Sequence, residues 1–95
     1  MSAYVILIRD RMHDENEMAK YAAAAKAARG EHEITPLAFY GAHETLEGAE
    51  ADGVVILHFP DMAAAKAWYS SPEYKAARAH RFQAADYRVI LAEGV

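Results

Sequence analysis

The chain has no cysteine. Disulfides, thiolate nucleophiles and cysteine-based zinc sites are therefore excluded. No apolar run is long enough to span a bilayer. The first such run, Ala3 to Ile8, is short and ends at Arg9-Asp10, so neither a membrane span nor a signal peptide is expected there. No basic face is concentrated anywhere: ten Lys and Arg are dispersed among fourteen Asp and Glu, for a formal charge of −4. Phosphate-backbone binding needs clustered positive charge, so nucleic acid is not an expected partner. Phosphate loops, G-x-G-x-x-G turns, G-x-S-x-G elbows and H-E-x-x-H pairs are all missing. His13, His32, His43 and His80 have no ligand-like spacing, so no metal site is expected and nothing calls for a cofactor. A cytoplasmic protein without a membrane partner is the simplest placement.

What remains is a 95-residue chain, 54% hydrophobic, of a length suited to one domain over residues 1–95. It is organised around Gly53 to Arg81. Val54 to Phe59 is a β-branched, aliphatic and aromatic run bounded by Gly53 and Pro60, which predicts a strand. Asp61 is a helix N-cap, and Ala64, Ala65 and Trp68 then share one helical face. Ser71 followed by Pro72 caps a second helical segment, with Glu73 suited to its first turn. Tyr74, Ala77, Arg78 and Arg81 share a face of that segment.

Upstream, Ala3 to Arg9 predicts a first strand. Asp14-x-x-Glu17 resembles a capping box opening a helix whose stripe is Met18, Tyr21, Ala22, Ala25 and Ala28. Lys20 and Lys26 lie off the stripe, and Gly30 suits a left-handed terminator. The small alanines are expected to let this helix approach the sheet closely. Leu37 to Tyr40 predicts a short strand, at an edge because Pro36 cannot donate to two neighbours. Ala42 to Asp52 reads as an acidic hairpin turning at Gly48, and Asp86 to Ala92 as the last strand.

The resulting order, βαββαβ, is the ferredoxin-like pattern of the α+β class: a four-stranded antiparallel sheet with two helices on one face. Strand periodicity leaves apolar side chains on the other face as well. Val5, Leu7, Val54, Ile56 and Ile90 are expected there, covered by a second copy through a symmetric contact.

Several segments together carry a family likeness. They are Thr45-Leu46-Glu47-Gly48, the Phe59-Pro60 junction, the run Ala67-Trp68-Tyr69-Ser70-Ser71-Pro72-Glu73-Tyr74, Ala76-Ala77-Arg78 and the terminal Leu91-Ala92-Glu93-Gly94. In this combination the chain resembles, over nearly its whole length, the family catalogued as domain of unknown function 1330 (DUF1330). The resemblance implies a dimeric α+β barrel. It implies no particular reaction, although the wider group includes cofactor-independent monooxygenases, haem-degrading enzymes and isomerases.

His58 is the one polar interruption of its strand. Parity along each strand assigns Arg9 and Arg88 to the same face. His58 is thus a candidate acid or base in a barrel facing Arg9 and Arg88, with His58 and Arg9 the candidate catalytic residues, the competing reading being a hydrogen-bonded polar cluster at the subunit contact. Arg78 has two readings: a ligand anchor, or a structural clamp on Glu47 or Glu73. Trp68, Tyr69 and Tyr74, with Tyr21 and Tyr40, either wall a pocket between helix and sheet or simply fill the core. The candidate substrate-binding set is Tyr40, Trp68, Tyr74, Arg78 and Arg88. Two functions fit: a homodimer that binds or transforms a small organic molecule at the sheet, or a noncatalytic dimeric accessory module.

Overall fold

The computed structural model describes all of residues 1–95. Strand β1 spans Ala3–Met12, helix α1 Glu15–Ala28, β2 Thr35–Phe39, β3 Gly53–Phe59, α2 Met62–Ser70, α3 Pro72–Ala84 and β4 Ala85–Glu93. The sheet is antiparallel in the order β2-β3-β1-β4, which puts the proline-bearing strand at an edge as expected. This is the ferredoxin-like arrangement, with its second helix broken in two. No helix is long and apolar enough to cross a membrane.

The caps behave as the residue types require. Asp14 accepts from the backbone N–H groups of Asn16 and Glu17, and Asp61 from that of Ala64 at 2.7 Å. Ser71 both ends α2 and starts α3: its hydroxyl donates to the Trp68 carbonyl and accepts from the Tyr74 N–H. At the break the Trp68 carbonyl and the Tyr74 and Lys75 N–H groups are thereby given partners. Glu17 departs from the capping-box expectation. Its carboxylate turns away from its own helix end to meet His80 on α3 at 2.7 Å.

The register overturns the expected division of the sheet. Val5 pairs with Leu57 and Leu7 with Val55, so the odd residues of β1 lie with the odd residues of β3, under the helices. Val5, Leu7, Val55, Leu57 and Phe59 are all buried there. The open face carries Tyr4, Ile6 and Ile8 instead, beside His58, Ile56 and Val54, with Ile90 opposite Ile6. Arg9 pairs with Gly53 and Tyr87 and lies on the helix side, away from His58 and Arg88. Parity states which residues of one strand share a face. It does not state how that strand is phased against its neighbour, and two equally apolar faces give no contrast to decide it.

Two further expectations change. Residues 41–52 form no hairpin but an irregular loop held by side chains: His43 reaches the carbonyls of Gly41 and Ala51, and Thr45 Oγ1 accepts from the Ala51 N–H. Helix α1 does not approach the sheet closely. It packs chiefly on α3 and stands off β1, β2 and β3. The space between becomes a cleft.

Candidate functional site

The cleft has a volume of about 720 Å³ and lies between α1 and the helix-side face of β1, β2 and β3. Its floor is Leu7, Val55 and Leu57, its inner end Trp68 and Tyr74, and its α1 wall Met18, Tyr21, Ala22 and Ala25. Phe39, 67% exposed, stands at the mouth. Trp68 and Tyr74 are wedged together, with ring centroids 4.0 Å apart, and Trp68 packs on Phe59 at 5.3 Å. These contacts pack the inner wall against the core.

Two hydrogen-bonded tyrosine pairs border the cavity. The Tyr21 and Tyr74 hydroxyls are 2.8 Å apart, and those of Tyr40 and Tyr87 are 2.5 Å apart. Burial pushes the phenols of Tyr21, Tyr40 and Tyr74 above their ordinary value, against the pull of nearby arginines. Near neutral pH they therefore remain O–H groups that can both donate and accept.

Each pair has an arginine beside it. Arg9 lies 4.9 Å from the centroid of the Tyr40 ring. Its Nε donates to Asp52 Oδ2 at 2.9 Å. Burial pulls this guanidinium down, but Tyr87 and Asp52 outweigh it and hold Arg9 above its ordinary value. Arg81 is only 2% exposed, and its charge lies among the rings of Tyr21, Tyr87 and Phe82 at 5.1 to 5.9 Å.

Tyr40 is held unusually. Its φ is +53°, a left-handed conformation that a bulky side chain seldom adopts. Its ring lies over Gly53, where an added Cβ would sit 2.8 Å from Tyr40 Cδ1 and 3.2 Å from Arg9 Nη2. Gly53 is thus the flat spot that lets Tyr40 and Arg9 cross the start of β3.

Of the residues singled out in the sequence, Arg9, Tyr40, Trp68 and Tyr74 meet in this cleft, with Tyr21. His58, Arg78 and Arg88 do not line it. His58 packs against Tyr4 on the open face, ring centroids 5.5 Å apart, so it shares no site with Arg9. Arg88 is bound bidentately by Asp10 at 2.9 and 3.0 Å. Arg78 forms no clamp with Glu47 or Glu73: its guanidinium stacks on Tyr69 at 4.2 Å, and its Nε is buried without a partner. Glu47 is exposed in the irregular loop.

Sequence reasoning missed Tyr87 and Arg81. Both carried a signal, since Tyr87 shares the parity of Val89 and Leu91, and Arg81 falls on the stripe of Tyr74 and Ala77.

The lining holds no Asp, Glu or His. It offers apolar surface, hydroxyl donors and cations, which can hold and orient an organic molecule and polarise an oxygen on it. No cluster of three or more His, Asp or Glu side chains is placed to hold a metal ion.

Comparison with known proteins bears on the fold and the family. A protein of unknown function from Rhodopseudomonas palustris, RPA0582, superposes with a TM-score of 0.74 at 21% identity, over 99% of this chain and 82% of its own. A dimeric ferredoxin-like protein of unknown function from Thermobifida fusca gives 0.67 at 16% identity, over 99% and 92%. A dimeric ferredoxin-like protein of unknown function from Bacteroides fragilis gives 0.65 at 13% identity, over 98% and 96%. No curated protein matches. The sequence profile of the family described as "Domain of unknown function (DUF1330)" matches residues 2–95, nearly the whole chain, and the protein belongs to that family.

Proposed function

We propose that this protein binds a small organic molecule in the cleft between α1 and the sheet, and that it does so as a homodimer paired through the open sheet face. The observation that carries the first part is the cleft itself: about 720 Å³, walled by Trp68, Tyr74, Tyr21, Leu7 and Val55, with few polar groups. Binding sites for small molecules have this size and this balance of apolar wall and sparse hydrogen-bonding groups. In this reading Trp68 and Tyr74 form the apolar end, and the lining bases Arg9, Lys26 and Arg29, with the Tyr40 hydroxyl, are the polar groups available to a ligand. The lining favours holding over proton abstraction, because none of its residues is a carboxylate or an imidazole.

The second part rests on the uncovered apolar surface of Ile6, Ile8, Val54, Ile56 and Ile90, and on the dimeric state of similar folds. His58 and Arg88 belong to that contact in this reading. Each protomer keeps its own cleft, on the opposite side of its sheet.

A thermal-shift screen with a collection of small organic compounds tests the binding reading, since a true ligand raises stability with concentration. Ala22 is exposed and lines the cleft, so Ala22→Trp fills the cavity while leaving the core contacts alone. The expected result is a set of shifts that Ala22→Trp abolishes. Absence of any shift, or shifts that survive Ala22→Trp, would leave the noncatalytic dimeric module as the better account.

A further inference from the structure

We infer that the ligand of this cleft is an organic anion, an apolar body ending in one carboxylate, with its head group at the Lys26–Arg29 end. The inference rests on the cleft being a binding site and names what the site selects. Acids outnumber bases fourteen to ten in the chain as a whole. The cleft reverses this: Arg9, Lys26 and Arg29 line it, and no acid does. A surface that gathers bases and excludes acids, in a chain of net charge −4, is a positive pocket in a negative field.

The three bases are not equivalent. Arg9 already meets a carboxylate, Asp52. An arriving anion at that end would have to displace Asp52 or sit beside its charge. Lys26 and Arg29 have no carboxylate within ion-pairing distance. Arg29 donates an Nη2 hydrogen to the Ile34 carbonyl, which steers the guanidinium but leaves its charge uncompensated. Behind the wall, Arg81 adds a third uncompensated charge. It is 2% exposed, its Nε and Nη2 have no hydrogen-bond partner, and no carboxylate reaches it. Its neighbours Tyr21 and Tyr74 are cleft residues, so its field crosses their hydroxyl pair into the cavity. A carboxylate at the Lys26–Arg29 end answers those two charges through charge-assisted hydrogen bonds, while Arg81, out of its reach, adds only a longer-range attraction; a neutral ligand gains neither. The five aromatic side chains of the lining, Tyr21, Phe39, Tyr40, Trp68 and Tyr74, then take the apolar body.

The test is calorimetric titration of the whole protein with 2-naphthoate and 2-naphthamide, which share a shape and differ in charge. Decanoate and decanamide are run beside them to separate a ring from a chain. The acid of a pair is expected to bind about tenfold tighter than its amide, the worth of one charge-assisted hydrogen bond. The double variant Lys26→Gln with Arg29→Gln removes both charges from the lining, and is expected to bring the acid and the amide of each pair to the same affinity. Amides binding as tightly as acids, or a preference untouched in the double variant, would overturn the inference and leave the cleft a site for neutral molecules. Failure of every probe to bind, with Ala22→Trp indistinguishable from the natural protein, would overturn the binding reading beneath it.

Discussion

On one face of the sheet, Val5, Leu7, Val55, Leu57 and Phe59 are buried beneath the helices of their own chain. On the other, Tyr4, Ile6, Ile8, Val54 and Ile56 remain half-buried, and Ile90 is 48% exposed. In residue type the two faces are nearly alike. Their surroundings differ: the first is covered by α2 and α3 and roofed at a distance by α1, and the second faces outward with no helix over it. The contrast teaches that apolar content sets the need for cover but not its source. Where α1 stands off, the helix face gains a cavity. Where no helix reaches, the open face keeps apolar side chains that its own chain does not cover.

Four experiments break or sharpen that contrast. The largest effect is expected for Phe59→Ala, since Phe59 has no exposure and is packed on Trp68. It should cost about 3–5 kcal/mol in denaturant unfolding. Because the contact lies within one chain, that cost should not change with protein concentration. Ile56→Asp probes the other face. A carboxylate set in the proposed sheet-to-sheet contact loses its hydration without gaining a partner. Light scattering at micromolar concentration should find a dimer for the natural protein and half that mass for the variant. A natural protein that scatters as a single chain would show the open face to be uncovered.

Gly53→Ala acts on the helix face alone. The new Cβ would press on Tyr40 Cδ1 at 2.8 Å, and overpacking of this kind costs about 1–3 kcal/mol. Tyr40 and Arg9 should shift, ligand affinity should fall with stability, and the dimer should persist. Unchanged Tyr40 resonances in the variant would mean that Gly53 does not set the aromatic's position.

The smallest effect is expected from pH. His43 is held above its ordinary value by the Ala51 and Gly41 carbonyls. Both are acceptors, so both ring nitrogens must carry hydrogens, and the protonated ring fits the loop best. The folded-state value is raised, so this contribution is fully present below 6.5 and lost as pH rises through the raised value. The same loop presents Asp52 to Arg9. An NMR titration should show amides of residues 41–52 moving with His43, and His43→Gln should abolish that movement. A loop indifferent to pH, or one unchanged in His43→Gln, would separate the histidine from the loop's order.

Local chemistry made much of the fold legible. Asp14, Asp61 and Ser71-Pro72 mark helix starts because short polar side chains satisfy the first-turn N–H groups, a need set within a few residues. Pro36 marks an edge for an equally local reason. The period-two pattern of β1, β3 and β4 and the strand–helix order then determine a ferredoxin-like sheet. Of the site, Tyr40, Trp68 and Tyr74 were legible as aromatics on buried faces.

The tertiary structure alone decided how the strands are phased, and so which apolar set lies inward. It moved Arg9 from the side of His58 to the side of Tyr40, because register depends on partners far away in sequence. It also decided that α1 rests on α3, its Glu17 reaching His80 across 63 positions, so that a cleft opens over the sheet. Arg81 shows the same limit: its stripe position is written in the sequence, but its uncompensated charge behind Tyr21 and Tyr74 exists only once three separate elements converge on it.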